Sequence, residues 1–329
     1  MDLFTHILVA YLVTFGLVGF QPTYLAAGAL AGGLPDADAL FWPLAKRFPI
    51  LRHHGITHSI FGVTLVAGVG GGLIAPLVAP GNPWIYFAVM EAGGLAHMLQ
   101  DGFTHFSVPP FLPFSDKRLE LDADRAINLI TLVVSVVAFY LLLGVERNRV
   151  PFGYYLATVY VLAAFFALYF AVRLVGRLWV GRRMTQYGPY TVPVPTSNPF
   201  RWILLRETRD GGRFRTEFAR FTLGKGITKG PFAVDVPLDG PSDAEVPTTA
   251  GEALARSYPI ARKMSGFFDD TYHFGEATAG PDRIWVATWY SLEYTAFGRA
   301  AAVRVEFPAD GPPRAHRAWH TPLWRKELA

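Results

Sequence analysis

ILVAYLVTFGLVGFQPTYLAAGALAGGL, residues 7–34, decides how this chain is built. Ile7–Phe20 is apolar throughout, Gln21-Pro22 interrupts, and Tyr24–Leu34 resumes apolar and rich in small residues. As one helix the stretch could cross a bilayer, which takes about 20 apolar residues. As two helices, each piece is only about 15–20 Å long at the helical rise, and the shape is a re-entrant hairpin with its tip at Gln21-Pro22. Such a hairpin must be buried against neighbouring helices. Gly28, Gly32 and Gly33 permit that close approach. The choice turns on the flanks. Thr5-His6 precedes the stretch and Pro35-Asp36-Ala37-Asp38 follows it. A single span puts these groups on opposite faces, whereas a hairpin returns both to one face.

The composition sets the surroundings. The chain has 329 residues, 51% hydrophobic and 17% charged, with a mean hydropathy of +0.26. Soluble domains carry about 25% charged residues, so part of the chain lies out of water. The high apolar content excludes disorder. The absence of cysteine excludes disulfide scaffolds, thiol catalysis and cysteine-ligated metals. Residues 1–180 hold ten Lys/Arg and ten Asp/Glu, so the net charge of +4 belongs to the remainder. That mild excess suits an anionic membrane surface and is no nucleic-acid signature.

Four further stretches read as spans: Ser59–Ala79, Trp84–Gln100, Ile127–Val145 and Phe152–Val172, all without Lys or Arg. Pro80-Gly81-Asn82-Pro83 turns the first into the second. Met1–His6 has no positive charge and no small-x-small cleavage site follows, so the opening segment is expected to stay on the chain. Lys46, Arg47 and Arg52 in the 34–58 loop, Lys117, Arg118 and Arg125 in the 101–126 loop, and Arg173, Arg177, Arg182 and Arg183 after the last helix put those parts in the cytoplasm. Arg147 and Arg149 run against this assignment. The expected architecture is a multi-helix α membrane domain, residues 1–185, with four spanning helices plus the N-terminal re-entrant hairpin. A Pro-rich linker, residues 186–200, leads to a small β-rich soluble domain, residues 201–329, where Phe214–Leu223, Arg283–Tyr290 and Ala301–Phe307 read as strands.

Six of the nine histidines fall in the first 105 residues, at the cytoplasmic ends of the apolar segments. The groups are His6; Asp36 and Asp38; His53, His54 and His58; His97 and Asp101; and His105. With cysteine excluded, imidazole and carboxylate are the donors for a borderline divalent metal. His97 and Asp101 are four residues apart on one helix face, a chelating spacing. His105 lies two turns beyond, about 12 Å along the axis, which asks for a second ion or a non-ligand role. His53 or His54 can pair with His58 if the chain bends at Gly55. Asp36 and Asp38 sit at loop spacing, as a bridge or as a base. Glu91, about 9 Å deeper than His97, reads either as a substrate or proton contact within the bilayer or as a protonated carboxyl bonded to a neighbouring helix. Ionisable groups beside hydrocarbon are expensive and usually functional.

Thr5-His6, Gly33-x-Pro35-Asp36-x-Asp38, His53-x-Gly55-Ile56-Thr57-His58-Ser59, His97-x3-Asp101-x2-Thr104 and Pro113-Phe114-Ser115 resemble the YdjM-type family of membrane-bound metal-dependent hydrolases, over about residues 1–175. The resemblance implies a multi-helix membrane domain and a metal-dependent hydrolase. It nominates His6, Asp36, Asp38, His53, His58, His97 and Asp101 as ligands. His54 stands where the family usually has arginine, a role Arg52 would take over, and His105 stands where glycine is common.

Together these readings predict a hydrolase of the inner membrane, with its C-terminal domain cytoplasmic, acting on a phosphoester or lipid-type ester. Seven ligands exceed one tetrahedral zinc, so one or two ions are expected, zinc first, with manganese or iron as alternatives. Asp36 or Asp38 would bridge and the other would accept a proton. Arg52, His54, Glu91 and His105 are candidate substrate contacts, and Lys46 and Arg47 candidate head-group contacts. The partners are the lipid bilayer and a phospholipid or phosphoester substrate, with no nucleic acid. Two other classes compete. A divalent-metal transporter needs polar groups along a helix through the membrane, and metal uptake by proteoliposomes identifies it. A non-catalytic scaffold with a structural metal has a closed ligand shell with no open position.

Overall fold

The computed structural model describes residues 1–41, 54–105, 107–125, 127–146, 151–237, 247–264, 273–279, 284–296, 299–308 and 312–320. The chain divides into two compact units, Met1–Val175 and Gly176–Ala329.

In the first unit, residues 7–34 form a hairpin. Helix α1, Leu3–Val18, starts at Asp2, whose carboxylate accepts the Thr5 amide at 2.9 Å. It ends at Gly19, which has a φ of 68° that disfavours a side chain. Helix α2, Pro22–Gly33, opens with proline in its first turn, where the missing N–H is no loss. The two helices pack closely because glycine faces them: a Cβ at Gly28 would collide with Thr14 Oγ1, and one at Gly32 with the Ala10 side chain. His6 and Asp36 therefore lie at the same end, as the hairpin reading expects.

A short 3-10 turn, Pro35–Phe41, follows α2, and another, Ile56–His58, precedes the next helix. Helix α3, Ile60–Val78, is capped by the Ser59 hydroxyl, which accepts the Gly62 amide at 3.1 Å. Helix α4, Pro83–Phe103, lies against α2 so tightly that a Cβ at Gly93 would strike the Gly28 carbonyl. Helix α5 is Leu129–Glu146 and helix α6 is Phe152–Arg183.

Among the described residues, α3 and the stretch Phe152–Tyr187 are long and apolar enough to cross a bilayer; α1 and Leu129–Leu142 of α5 are shorter apolar helices. On these grounds two of the four expected spans are supported. The 21 residues of α4 have the length, but Glu91, His97, Gln100 and Asp101 dilute its hydropathy. Helix α6 runs well past Val172, because nothing between 172 and 183 breaks a helix and Arg173 is accommodated. Its guanidinium lies fully buried 2.9 Å from Asp124, which also accepts bonds from Tyr169 Oη at 2.6 Å and Asn128 Nδ2 at 2.8 Å. The Asp124 backbone pairs with Thr104, just beyond α4. Residues 107–121 fold back by Val108 against Leu119, with the Leu121 amide on the Gly102 carbonyl at 2.9 Å. The end of α4 is thus held from several sides.

The second unit holds two four-stranded antiparallel meanders. The first is β1 (Val192–Pro195), β2 (Arg201–Asp210), β3 (Arg213–Thr222) and β4 (Gly226–Pro237). The second is β5 (His273–Ala279), β6 (Trp285–Ala296), β7 (Arg299–Phe307) and β8 (Arg314–His320). β1 lies inside the stretch read as a linker. Its two prolines cannot donate to a ladder, so it takes an edge, paired only with β2 within its sheet. Helix α7, Ala250–Met264, was not expected from the sequence. It adds Tyr258 to a core of Phe214, Phe218, Trp289, Val305 and Phe307 from both sheets.

Candidate metal centre

The last two turns of α4 carry His97 and Asp101, and the chain around them folds so that other donors converge there. The turn before α3 brings His58, and the turn after α2 brings Asp36. One ligand atom from each of Asp36, His58, His97 and Asp101 lies within 4.8 Å of the others. His58 Nε2 and His97 Nε2 are 3.1 Å apart, and Asp101 Oδ2 lies 3.3 Å from the first and 3.2 Å from the second. Asp36 Oδ1 stands farther off, at 3.7 and 3.6 Å from the same two nitrogens. His58, His97 and Asp101 are buried, while the Asp36 side chain is 24% exposed and forms the open side.

The neighbours fix which atoms can be ligands. His97 Nδ1 is 2.7 Å from the Gly32 carbonyl, which only accepts, so the proton sits on Nδ1 and Nε2 presents a lone pair. His58 Nδ1 faces Asp38 Oδ2 at 3.3 Å, and Asp38 also accepts the Thr57 hydroxyl at 2.6 Å. Two imidazole nitrogens and a carboxylate oxygen aimed at one another are what a cation would hold together. Asp101 Oδ2 is buried and makes no hydrogen bond among the described residues. The donor set fits a divalent ion, with borderline nitrogen and hard oxygen ligands and no sulfur.

Asp38, expected as a bridge or base, stands behind His58 and orients the ring. Carboxylates in that position are worth about 10–100-fold in metal affinity. Asp38→Asn is therefore expected to weaken metal binding by about that factor without abolishing it, as read by a competitive chelator titration.

His6 stacks on His97 with ring centroids 3.7 Å apart. Its Nε2 lies 3.1 Å from Asp101 Oδ1, the oxygen that does not face His58 and His97. Neither ring nitrogen of His6 makes a hydrogen bond among the described residues, although the side chain is fully buried. The Met1 amine contacts the same oxygen. Asp101 thus divides its two oxygens between two sets of nitrogens.

Charge favours a cation here. Burial pushes the His58 imidazolium down, but Asp101, Asp36 and Asp38 outweigh it and lift its pKa from 6.5 to about 10. Burial likewise opposes charge on Asp36, yet His58 and His97 hold its carboxyl below the usual range. A raised folded-state value means that protonated His58 stabilises the metal-free protein at low pH, and that this contribution is lost as pH rises from 6.5 through about 10. A metal must displace that proton. Metal affinity is therefore expected to rise with pH below about 10, with proton release detectable by calorimetry in buffers of different ionisation heat.

The other expected residues are placed as follows. His54 stacks on His58 at 4.6 Å, with Nε2 3.9 Å from Asp101 Oδ2 and a φ of 59° that is rare outside glycine. Its carbonyl accepts from Arg118 at 3.4 Å. His105 is not brought to the centre and forms its own group with Asp122 at 2.9 Å and Glu120 at 3.2 Å. Glu91 accepts the Thr64 hydroxyl of α3 at 2.9 Å, a bond to a neighbouring helix. His53 and Arg52, with Lys46 and Arg47, lie outside the described residues. Sequence reading missed Thr57 and Gly32, which orient the two imidazoles. Thr57 falls inside a quoted motif, but no spacing rule marks a backbone carbonyl such as that of Gly32.

Comparison with known families gives one match: the family model described as YdjM inner membrane protein aligns with residues 1–180. No curated protein and no solved structure matches.

Proposed function

We propose, from the premise that this chain belongs to the YdjM inner membrane protein family, that it is a metal-dependent hydrolase of phosphoester or lipid-type ester bonds at the cytoplasmic face of the inner membrane. One observation carries the reading: side chains from three separate elements converge on a single point at one end of the helical unit, with one partly open side. His58, His97 and Asp101 would hold the ion, and Asp36 would complete its shell or work beside it. A divalent ion so held supplies Lewis acidity toward an ester oxygen and makes a nearby water more acidic. Zinc suits the donors best, with manganese or iron as alternatives. His6 and Asp101 Oδ1 are the donors for a second ion, which makes Asp101, rather than Asp36 or Asp38, the bridging carboxylate.

The chain's own residues have distinct tasks in this reading. Asp36, half-turned to the open side, accepts the proton of the attacking water. Asp38 and Thr57 keep His58 turned with Nε2 inward. His54, at the edge of the group, contacts the substrate head group. The 34–58 and 101–126 loops and the C-terminal unit lie in the cytoplasm, as their Lys and Arg content asks.

The test is the purified full chain assayed on phospholipids and on soluble phosphodiesters, with and without a chelator, alongside elemental analysis. Chelator-sensitive turnover that is lost in Asp36→Asn, with metal retained, is the expected result. A metal-loaded wild type that hydrolyses no ester overturns the enzyme reading and leaves a metal-stabilised scaffold.

A further inference from the structure

Between α2, α3 and α4 lies a slot of about 290 Å³ that the metal centre does not use. Its walls are Ala31 and Leu34 from α2, Val63 and Val66 from α3, and Met90 from α4. Gly94 leaves it open, since a Cβ there would meet Val63 at 2.6 Å. The lining is almost entirely carbon. Its one hydroxyl, on Thr57, is already donated to Asp38. A charged or strongly polar group entering would lose water and find no partner.

The two ends of the slot differ. Pro35 and Thr57, immediate neighbours of Asp36 and His58, form one end. Val66, 38% exposed on the apolar helix α3, stands at the other. The slot therefore runs from beside the metal-ligating side chains toward the surface that hydrocarbon would wet. Pockets for whole small molecules occupy about 300–1,000 Å³, so this one takes a narrow apolar arm and not a complete ligand.

We infer that the slot receives one hydrocarbon chain of the molecule whose head group lies at the metal centre, so that the substrate is an amphiphile held with its chain in the bilayer. This rests on the hydrolase reading for the fate of the head group, whereas chain binding can be measured without turnover.

The experiment uses the full chain in lipid nanodiscs and a single-chain alkyl phosphate carrying a diazirine at its chain end. After irradiation, labelled residues are mapped by mass spectrometry. The expected result is label on Met90 and Val66 above that on Leu65 and Leu73, exposed side chains elsewhere on α3. Val66→Trp, which blocks the mouth, is expected to lower Met90 labelling at least about tenfold with bound metal unchanged. Leu34→Phe, which narrows the slot from α2, is expected to act in the same direction. Labelling no stronger in the slot than on Leu65 and Leu73, or indifferent to both variants, overturns the inference. A labelled slot in a protein that hydrolyses no ester sinks the enzyme reading alone. Hydrolysis with an unlabelled slot and rates independent of chain length sinks the slot alone.

Discussion

Asp101→Asn is expected to purify without bound metal, with an affinity loss well beyond the about 10–100-fold anticipated for Asp38→Asn. The reason is position. Asp101 Oδ2 lies 3.3 and 3.2 Å from the two inward imidazole nitrogens, and Oδ1 lies 3.1 Å from His6. An amide of the same size brings a neutral oxygen and an N–H donor into a place built for negative charge. It cannot share a cation between both oxygens. The same change removes a carboxylate that supports the His58 imidazolium in the metal-free protein, so that imidazolium should titrate at lower pH. Elemental analysis, with circular dichroism to confirm folding, decides the matter. A folded Asp101→Asn protein that keeps its metal would remove Asp101 from the ligand set.

Arg173→Met is expected to destabilise the helical unit by about 3–5 kcal/mol, the usual result of leaving one partner of a buried ion pair alone. Asp124 is fully buried and its hydrogen bonds come from Tyr169, Asn128 and the Arg125 amide; only Arg173 at 2.9 Å balances its charge. Asp124→Asn leaves the opposite charge uncompensated and should do similar harm. The double variant should recover much of the loss, because two neutral groups carry no desolvation penalty of that size. Thermal unfolding of the four proteins in detergent, treated as a double-mutant cycle, measures this. Since Asp124 pairs with Thr104, three residues beyond Asp101, the single variants should also bind metal more weakly. Equal stabilities across the set would show that the network does not hold the fold.

How much of this was readable from the chain depends on the kind of interaction. Helix breaks are local, and Gly19 and Pro22 made the turn of the hairpin legible. The chelating geometry of His97 and Asp101 follows from helical rise alone. The convergence of Asp36 and His58 on that pair was reachable only by asking which topology returns His6 and Asp36 to one face. What spacing cannot supply is direction. Nothing in Asp36-x-Asp38 says that the second carboxylate faces Nδ1 of His58 and not the open side. The burial of Arg173 was hidden because its partner lies 49 positions away, at Asp124. Helix α7 had a local signal that went unread: Thr249 accepts the Glu252 amide at 3.2 Å while Glu252 accepts the Thr248 amide at 2.9 Å, the reciprocal cap that Thr-x-x-Glu announces.

The order in which the donors occur along the chain has a consequence for biosynthesis. His6, Asp36 and His58 leave the ribosome before α4, and Asp101 leaves last. A chain arrested before α4 has entered the membrane already carries three donors, yet lacks the carboxylate on which they close. Metal loading therefore has to follow insertion of α4, and acquisition of the ion reports that this part of the protein has been completed.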